Sequence, residues 1–275
     1  MKNIVIDLWT GDQLDQNENP SNQPKLETYI LKGDKKRPAV LICPGGGYGF
    51  LSEREAEPIA IAWNEAGYHA FILYYTIKPE MHLQPLLDAS QAMCIIRENA
   101  ESWHVHSDQI AVCGFSAGGH LAASLGVHWD KTYLQKEGIE IGKNKPNALI
   151  LSYPVISSGD YLHQGSYTNL LGEHAKTELL HDMSLEHHVS SNTPPTFLWH
   201  TVEDESVPVE NSLLFAQGLR KENVPFELHI YPKGVHGLSL ATAETATDER
   251  LADAHVATWL DLCKQWLAEV FQKGV

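Results

Sequence analysis

Residues 110–125, IAVCGFSAGGHLAASL, place an apolar run, a Gly-x-Ser-x-Gly turn around Ser116 and a chain of small residues in direct succession. IAVC is too short for a helix and suits a buried strand, whereas the stretch from Leu121 to Leu125 suits a helix lying close on a sheet. Gly114 and Gly118 permit a tight turn that lifts Ser116 above the sheet edge, and the helix start beyond it favours negative charge. A strand, turn and helix of this kind predict a parallel α/β sheet, and the flanking sequence supplies the rest of it.

Strand-like runs recur at 3–8, 26–31, 39–43, 70–75, 110–114, 148–154, 196–200 and 226–232. Helical patterns lie near 53–66, 85–101, 117–128, 208–222 and 251–272. From residue 39 onward the two kinds alternate, which is the order of a parallel sheet covered on both faces. The first two strands are separated by the polar stretch 11–25 with no helix, so an antiparallel lead-in is expected there. Residues 155–195 form an irregular excursion ending in Asn192-Thr193-Pro194-Pro195, and segments of that length commonly cover a site. No repeat or linker divides the chain, so one domain over residues 1–275 accommodates everything.

Composition narrows the function classes. With 43% hydrophobic and 20% charged residues, disorder is excluded as the main state. Acidic residues number 35 against 20 basic, a formal charge of −15, which disfavours nucleic acid and anionic membrane as partners and leaves a homo-oligomer open. The longest apolar runs, such as AVLIC at 39–43 and HAFILYY at 69–75, are too short to span a bilayer. MKNIVIDLWTGD lacks the apolar stretch and cleavage site of a secretory signal, so a cytoplasmic location is expected. Cys43, Cys94, Cys113 and Cys263 have no CxxC spacing and read as small buried hydrophobes. His104-x-His106 and the pair His187, His188 lack the spacing of a metal site, so no metal is expected.

A serine hydroxyl becomes a nucleophile only when a base takes its proton, and a histidine base needs a carboxylate to fix its tautomer. After the strand TFLWH the chain presents Glu203, Asp204 and Glu205, and after FELHIYP it presents His236. Acyl transfer also needs donors for a tetrahedral oxyanion. The run Pro44-Gly45-Gly46-Gly47-Tyr48-Gly49 follows AVLIC, so Gly46 and Gly47, together with Ala117 beyond the serine, can offer bare backbone N–H groups. The run lacks the Gly-Lys-Ser/Thr ending of a phosphate loop, and Gly-x-Gly-x-x-Gly is absent, so no nucleotide cofactor is expected. Tyr48, Trp199 and the aromatics of the excursion are open between lining a pocket and packing the core.

The segments PGGGYGFLSEREAEPIA, PLLDASQAMCIIRENAESW, IAVCGFSAGGHLAASL, HHVSSNTPPTFLWHTVEDESVPVENSLLFAQGL and FELHIYPKGVHGLSLA together resemble the esterase and lipase-like α/β-hydrolases, within them the acetylesterase (acetyl xylan esterase-like) type. The order serine, acid, histidine agrees with that fold. The resemblance implies an α/β-hydrolase fold: a mostly parallel eight-stranded sheet flanked by helices, antiparallel N-terminal strands and no large cap domain. It selects Asp204 among the three acids, because the family's Asp-x-x-Val-Pro is matched by Asp204, Val207 and Pro208, and its Gly-x-His-Gly by Gly234, His236 and Gly237. Pro44 stands where the hormone-sensitive-lipase group has histidine, and no long N-terminal helical cap is present, so long-chain lipase activity is not implied. What is implied is a cofactor-free serine esterase with the triad Ser116, His236 and Asp204 acting on a small-molecule ester. Its acyl groups would be short, commonly acetyl, carried on substrates such as acetylated sugars or xylo-oligosaccharides. Two rivals share the motifs: a peptidase of the prolyl-oligopeptidase kind, and a non-catalytic ligand-binding protein on a hydrolase scaffold.

Overall fold

A computed structural model of the chain describes residues 3–9, 23–78 and 82–273. All eight expected strands form: β1 (Val5–Asp7), β2 (Lys25–Tyr29), β3 (Arg37–Cys43), β4 (His69–Tyr74), β5 (Val105–Phe115), β6 (Ala148–Ser152), β7 (Thr196–Thr201) and β8 (Phe226–Tyr231). They make one sheet in the order β1-β2-β4-β3-β5-β6-β7-β8. β1 runs antiparallel to β2 and β2 antiparallel to β4, while every pairing from β4 to β8 is parallel. The expected antiparallel lead-in is therefore present, although residues 10–22 of the polar stretch lie outside the described residues.

Side chains alternate between the two faces of each strand, and β3 shows how both are used. Ala39, Leu41 and Cys43 join one core layer, with Met93 of α2 (Gln84–Glu98), Leu121 of α3 (Ala117–His128) and Phe215 of a later helix, Glu210–Lys221. Val40 and Ile42 join the other, with Trp63 of α1 (Glu57–Glu65) and Trp259 of the C-terminal helix Trp259–Lys273. That last helix buries Trp259, Cys263 and Leu267, spaced four residues apart on one face. Its start differs from the expected 251: short 3-10 turns occupy Glu249–Leu251 and Val256–Thr258, and the α-helix begins at Trp259. β5 in turn begins at Val105, earlier than the expected 110, because buried Val105 pairs with Arg37 ahead of the polar residues 106–109.

Further helices appear that no periodicity announces: α4 (Thr132–Lys136), and within the 155–195 excursion α5 (Gln164–Leu171) and α6 (Thr177–Asp182). With these, Glu210–Lys221 is α7 and Trp259–Lys273 is α8. The four cysteines are buried and unpaired. No helix among the described residues is long and apolar enough to cross a membrane.

The strand order locates the site. The chain leaves β3 toward β4 on one side and leaves β5 toward β6 on the other, so a crevice opens beyond the C-terminal ends of adjacent β3 and β5. Pro44-Gly45-Gly46-Gly47 and Ser116 are the residues that stand there.

Candidate active site

Ser116 joins β5 to α3 with φ 53° and ψ −119°, a conformation that a non-glycine residue adopts only when its surroundings impose it. Three backbone bonds do so: Ser116 N–H donates to Ser152 O at 3.0 Å, and Ser116 O accepts from His120 N at 3.1 Å and Val155 N at 3.1 Å. The following helix must approach β3 closely. A Cβ on Gly118 would lie 2.1 Å from the carbonyl oxygen of Cys43, so only glycine fits. Close packing likewise explains why α3 is built from small residues, all of them buried.

Ser116 Oγ lies 2.8 Å from His236 Nε2, and His236 Nδ1 lies 2.6 Å from Asp204 Oδ2. The three expected residues thus meet, from β5, the loop after β8 and the turn after β7. Asp204 is fixed from its other side: Oδ1 accepts from Ser206 N at 3.0 Å and Val207 N at 2.9 Å. Glu203 and Glu205 are exposed, Glu203 accepting a long bond from Gly234 N at 3.3 Å. Burial alone would raise the Asp204 carboxyl, but hydrogen bonds from His200 and His236, with the backbone N–H of Val207, outweigh it and hold the group well below the usual carboxylate range. Asp204 is therefore a carboxylate, and it can keep a proton on His236 Nδ1 while Nε2 faces the serine.

His200 was not singled out in the sequence because it sits inside the apolar run TFLWH. It is fully buried, with Nδ1 2.8 Å from Ser212 Oγ and Nε2 2.9 Å from Val207 O and 3.3 Å from Asp204 Oδ2. Two oxygens that only accept face Nε2, so Nε2 carries the proton and shares it between the turn and the acid.

The glycine run after β3 forms a tight loop in which Gly46 O accepts from Gly49 N at 2.9 Å and Phe50 N at 3.2 Å. Gly46 has φ 128°, and a Cβ there would lie 2.1 Å from Phe50 O. Asn169 of α5 donates to Gly47 O at 2.8 Å. No hydrogen bond occupies the backbone N–H of Gly46, Gly47 or Ala117 among the described residues, and Gly46 and Gly47 line the same cavity as Ser116. Ala117 is fully buried and offers only its backbone at the helix N-terminus.

Glu55 is a further component that the charged stretch SEREAE conceals. Only 3% exposed, it accepts from Gly45 N at 2.8 Å through Oε2 and from the Tyr153 hydroxyl at 2.6 Å through Oε1. Tyr153 also accepts from Ser239 N at 2.9 Å, and its ring stands edge-on to His236 at 5.1 Å. Burial, with Glu55 alongside, pushes the Tyr153 phenol well above its ordinary value, so it remains a donor to Glu55. One carboxylate thereby ties the glycine loop to the ring that backs His236.

The cavity over Ser116 measures about 540 Å3. Lys78, His163, Asn169 and Ser206 give it a polar wall, and Phe50, 62% exposed, forms part of its lining. The excursion thus reaches the site through His163, Gly165 and Asn169, not through its aromatic residues. Tyr167 is buried, donating to Ile156 O and Met183 O, and Trp199 is fully buried, stacked on Trp259 at 5.2 Å. Tyr48 is buried too, its hydroxyl 2.8 Å from His120 Nδ1. These aromatics pack the core around Ser116 instead of lining its cavity.

Buried histidines near the site set an acid limit on stability. Burial lowers His120 from 6.5 to about 4 and His128, on the last turn of α3, from 6.5 to about 3. Both stay neutral in the folded protein while the unfolded chain takes up protons below 6.5, so their stabilisation is complete above 6.5 and is lost as pH falls toward 3. The cost is on the order of 2 kcal/mol for each at pH 5. A urea titration should show a lower midpoint at pH 5 than at pH 7.5, and His128→Leu should narrow the gap; equal midpoints at the two pH values would contradict this.

Comparison with known proteins gives a consistent family. The BD-FAE family model matches residues 26–219. The chain is 39% identical over 248 residues to endo-1,4-beta-xylanase B of Butyrivibrio fibrisolvens, covering 89% of this chain and 39% of that protein. It is 31% identical over 263 residues to an acetylxylan esterase of Xylanibacter ruminicola, covering 94% of this chain and 52% of that protein. The chain therefore spans about half the length of these relatives or less. The crystal structure of an acetyl ester-xyloside bifunctional hydrolase from Caldicellulosiruptor lactoaceticus superposes with a TM-score of 0.88 at 41% identity, covering 97% of this chain and 96% of that one.

Proposed function

The chain belongs to the BD-FAE family of α/β-hydrolases, and on that premise we propose that it is a serine carboxylesterase removing short acyl groups, acetyl above all, from hydroxylated substrates such as acetylated xylo-oligosaccharides. The observation that carries the reading is the continuous relay from Asp204 Oδ2 through His236 to Ser116 Oγ, with contacts of 2.6 Å and 2.8 Å. The acetyl preference is supported by the likeness to the acetylxylan esterase and the acetyl ester-xyloside hydrolase. The polar wall of Lys78, His163 and Asn169 suits a hydroxyl-rich alcohol. All strands among the described residues lie in one sheet, which supports a single domain over residues 1–275.

In this mechanism Ser116 Oγ attacks the ester carbonyl carbon while its proton passes to His236 Nε2. The carbonyl oxygen, now an anion, is held by the N–H groups of Gly46, Gly47 and Ala117. The C–O bond to the alcohol then breaks, and His236 returns the proton to the departing alkoxide. The acyl group is left on Ser116. Water attacks that acyl-enzyme, giving its proton to His236, and collapse of the second tetrahedral species frees the acid and restores the serine. Asp204 holds His236 in the required tautomer and stabilises the imidazolium between steps.

Turnover of p-nitrophenyl acetate, butyrate and octanoate, and of an acetylated xylo-oligosaccharide, tests the reading when measured with and without a serine-directed organophosphonate. Expected is inhibitor-sensitive hydrolysis that falls steeply from acetate to octanoate, with acetate released from the oligosaccharide. A folded protein that cleaves none of the four esters would defeat the proposal.

A further inference from the structure

Two features of the cavity over Ser116 have no part in the relay: the ring of Phe50 and the outer nitrogen of His163. His163 is the N-cap of α5, where its Nδ1 accepts from Ser166 N at 3.3 Å and lies 2.8 Å from Ser166 Oγ. A backbone N–H can only donate, so Nδ1 is the bare nitrogen of this ring. Burial, reinforced by His236 and only partly offset by Asp204, lowers His163 from 6.5, so the ring is neutral at pH 7.5. A neutral ring with a bare Nδ1 carries its proton on Nε2. That N–H has no partner among the described residues, and Nε2 is not one of the nitrogens sealed from solvent, so it is a donor open to the cavity.

Phe50 directly follows the glycine loop. A Cβ on Gly46 would lie 3.1 Å from Phe50 Cδ2, so the ring stands against the loop proposed to hold the oxyanion, and yet the residue is 62% exposed. The two features ask for different chemistry in one occupant. A wholly apolar group on Phe50 would leave the His163 N–H without an acceptor, and an open-chain polyol would leave the ring of Phe50 in water. A pyranose has both parts, with C–H groups on its faces and oxygens around its rim. His163 lies close enough to His236 for the two to interact electrostatically. Since His236 is the group proposed to return a proton to the departing alkoxide, the donor stands on the alcohol side of the ester.

We infer that Phe50 and His163 form the subsite for the alcohol half of the substrate: a saturated six-membered ring lies on Phe50, and an oxygen on the carbon next to the ester accepts from His163 Nε2. This rests on the esterase reading and adds to it the residues that select a ring ester with a neighbouring hydroxyl.

Three acetates isolate the two parts. Ethyl acetate has no ring, cyclohexyl acetate has the ring alone, and trans-2-hydroxycyclohexyl acetate adds the neighbouring oxygen. Dividing each kcat/KM by the rate of hydrolysis by hydroxide removes intrinsic reactivity. In the unaltered protein the hydroxylated ester should then exceed cyclohexyl acetate roughly fivefold. His163→Asn can still cap α5 through its side-chain oxygen, but its amide stops short of the Nε2 position, so that ratio should fall to about one. Phe50→Ala should lower the cyclohexyl-to-ethyl ratio roughly fivefold, whereas Phe50→Tyr, which keeps the ring, should preserve it. Each readout is a ratio within one variant, so a general loss of activity or stability cancels. Ring 15N signals of His163 add a readout without turnover: Nε2 should carry the proton, and its signal should move when methyl β-D-xylopyranoside is added. A protein that cleaves none of the acetates defeats the esterase reading, and the inference is then decided by that signal alone. A ratio unchanged by His163→Asn or by Phe50→Ala, a proton on Nδ1, or a signal unmoved by the xyloside would overturn the inference itself.

Discussion

Replacing Ser116 with alanine is expected to lower kcat/KM on p-nitrophenyl acetate about a hundred-thousandfold while leaving the fold unchanged. The large effect follows from the proposed chemistry, in which no other group forms the acyl-enzyme. The unchanged fold follows from the local structure. Among the described residues Ser116 Oγ has one partner, His236, which is itself half-buried, so the substitution strands no buried core group. The unusual backbone angles are held by bonds to Ser152, His120 and Val155 that involve only main-chain atoms. Circular dichroism and the thermal midpoint of the variant should therefore match those of the parent, and an organophosphonate should no longer label the protein. Near-normal turnover in this variant would place the nucleophile elsewhere.

Asp204→Asn should cost about ten-thousandfold in kcat with little change in KM. The replacement amide keeps an oxygen for Ser206 N and Val207 N, which fixes its orientation, so its NH2 must face His236 Nδ1 and His200 Nε2. An N–H aimed at Nδ1 forces the His236 proton onto Nε2, where it confronts Ser116 with a donor instead of a base. The same NH2 meets the N–H of His200, a second mismatch that the carboxylate avoids. Glu203→Gln and Glu205→Gln, both at exposed positions, should change kcat less than about twofold. A comparable loss in either of these, with Asp204→Asn active, would reassign the acid.

The strands and the serine turn were legible because their signals are local. Apolar β-branched runs such as AVLIC and IAVC are buried on both faces and need no partner to be recognised. The identity of the acid was not local. Glu203, Asp204 and Glu205 are equivalent in composition, and only the turn that directs two backbone N–H groups onto Asp204 aims that side chain inward; the family pattern, not the spacing, pointed to it. Glu55 stayed hidden for a related reason: a carboxylate amid Glu53, Arg54 and Glu57 looks solvated, and nothing adjacent in sequence reveals Gly45 and Tyr153 as its partners. His200 looked like part of a strand because it is one. The short helices α5 and α6 carry too few apolar positions to show a period, so the excursion read as irregular, and its contributors to the site are polar residues where aromatics drew attention.

Glu55 has a consequence for how the protein comes into being. Its contacts join Gly45 to Tyr153, which in turn accepts from Ser239, points that lie far apart along the chain, and Asp204 and His236 follow strands at the far edge of the sheet. Closing such distant loops is the slow part of folding, whereas helices such as α2 or α8 need only their neighbours. The serine turn can therefore be assembled well before it is armed. On the proposed mechanism, catalytic competence is a later milestone of refolding than helix content, and a nascent chain that has not yet delivered His236 carries Ser116 without its proposed base.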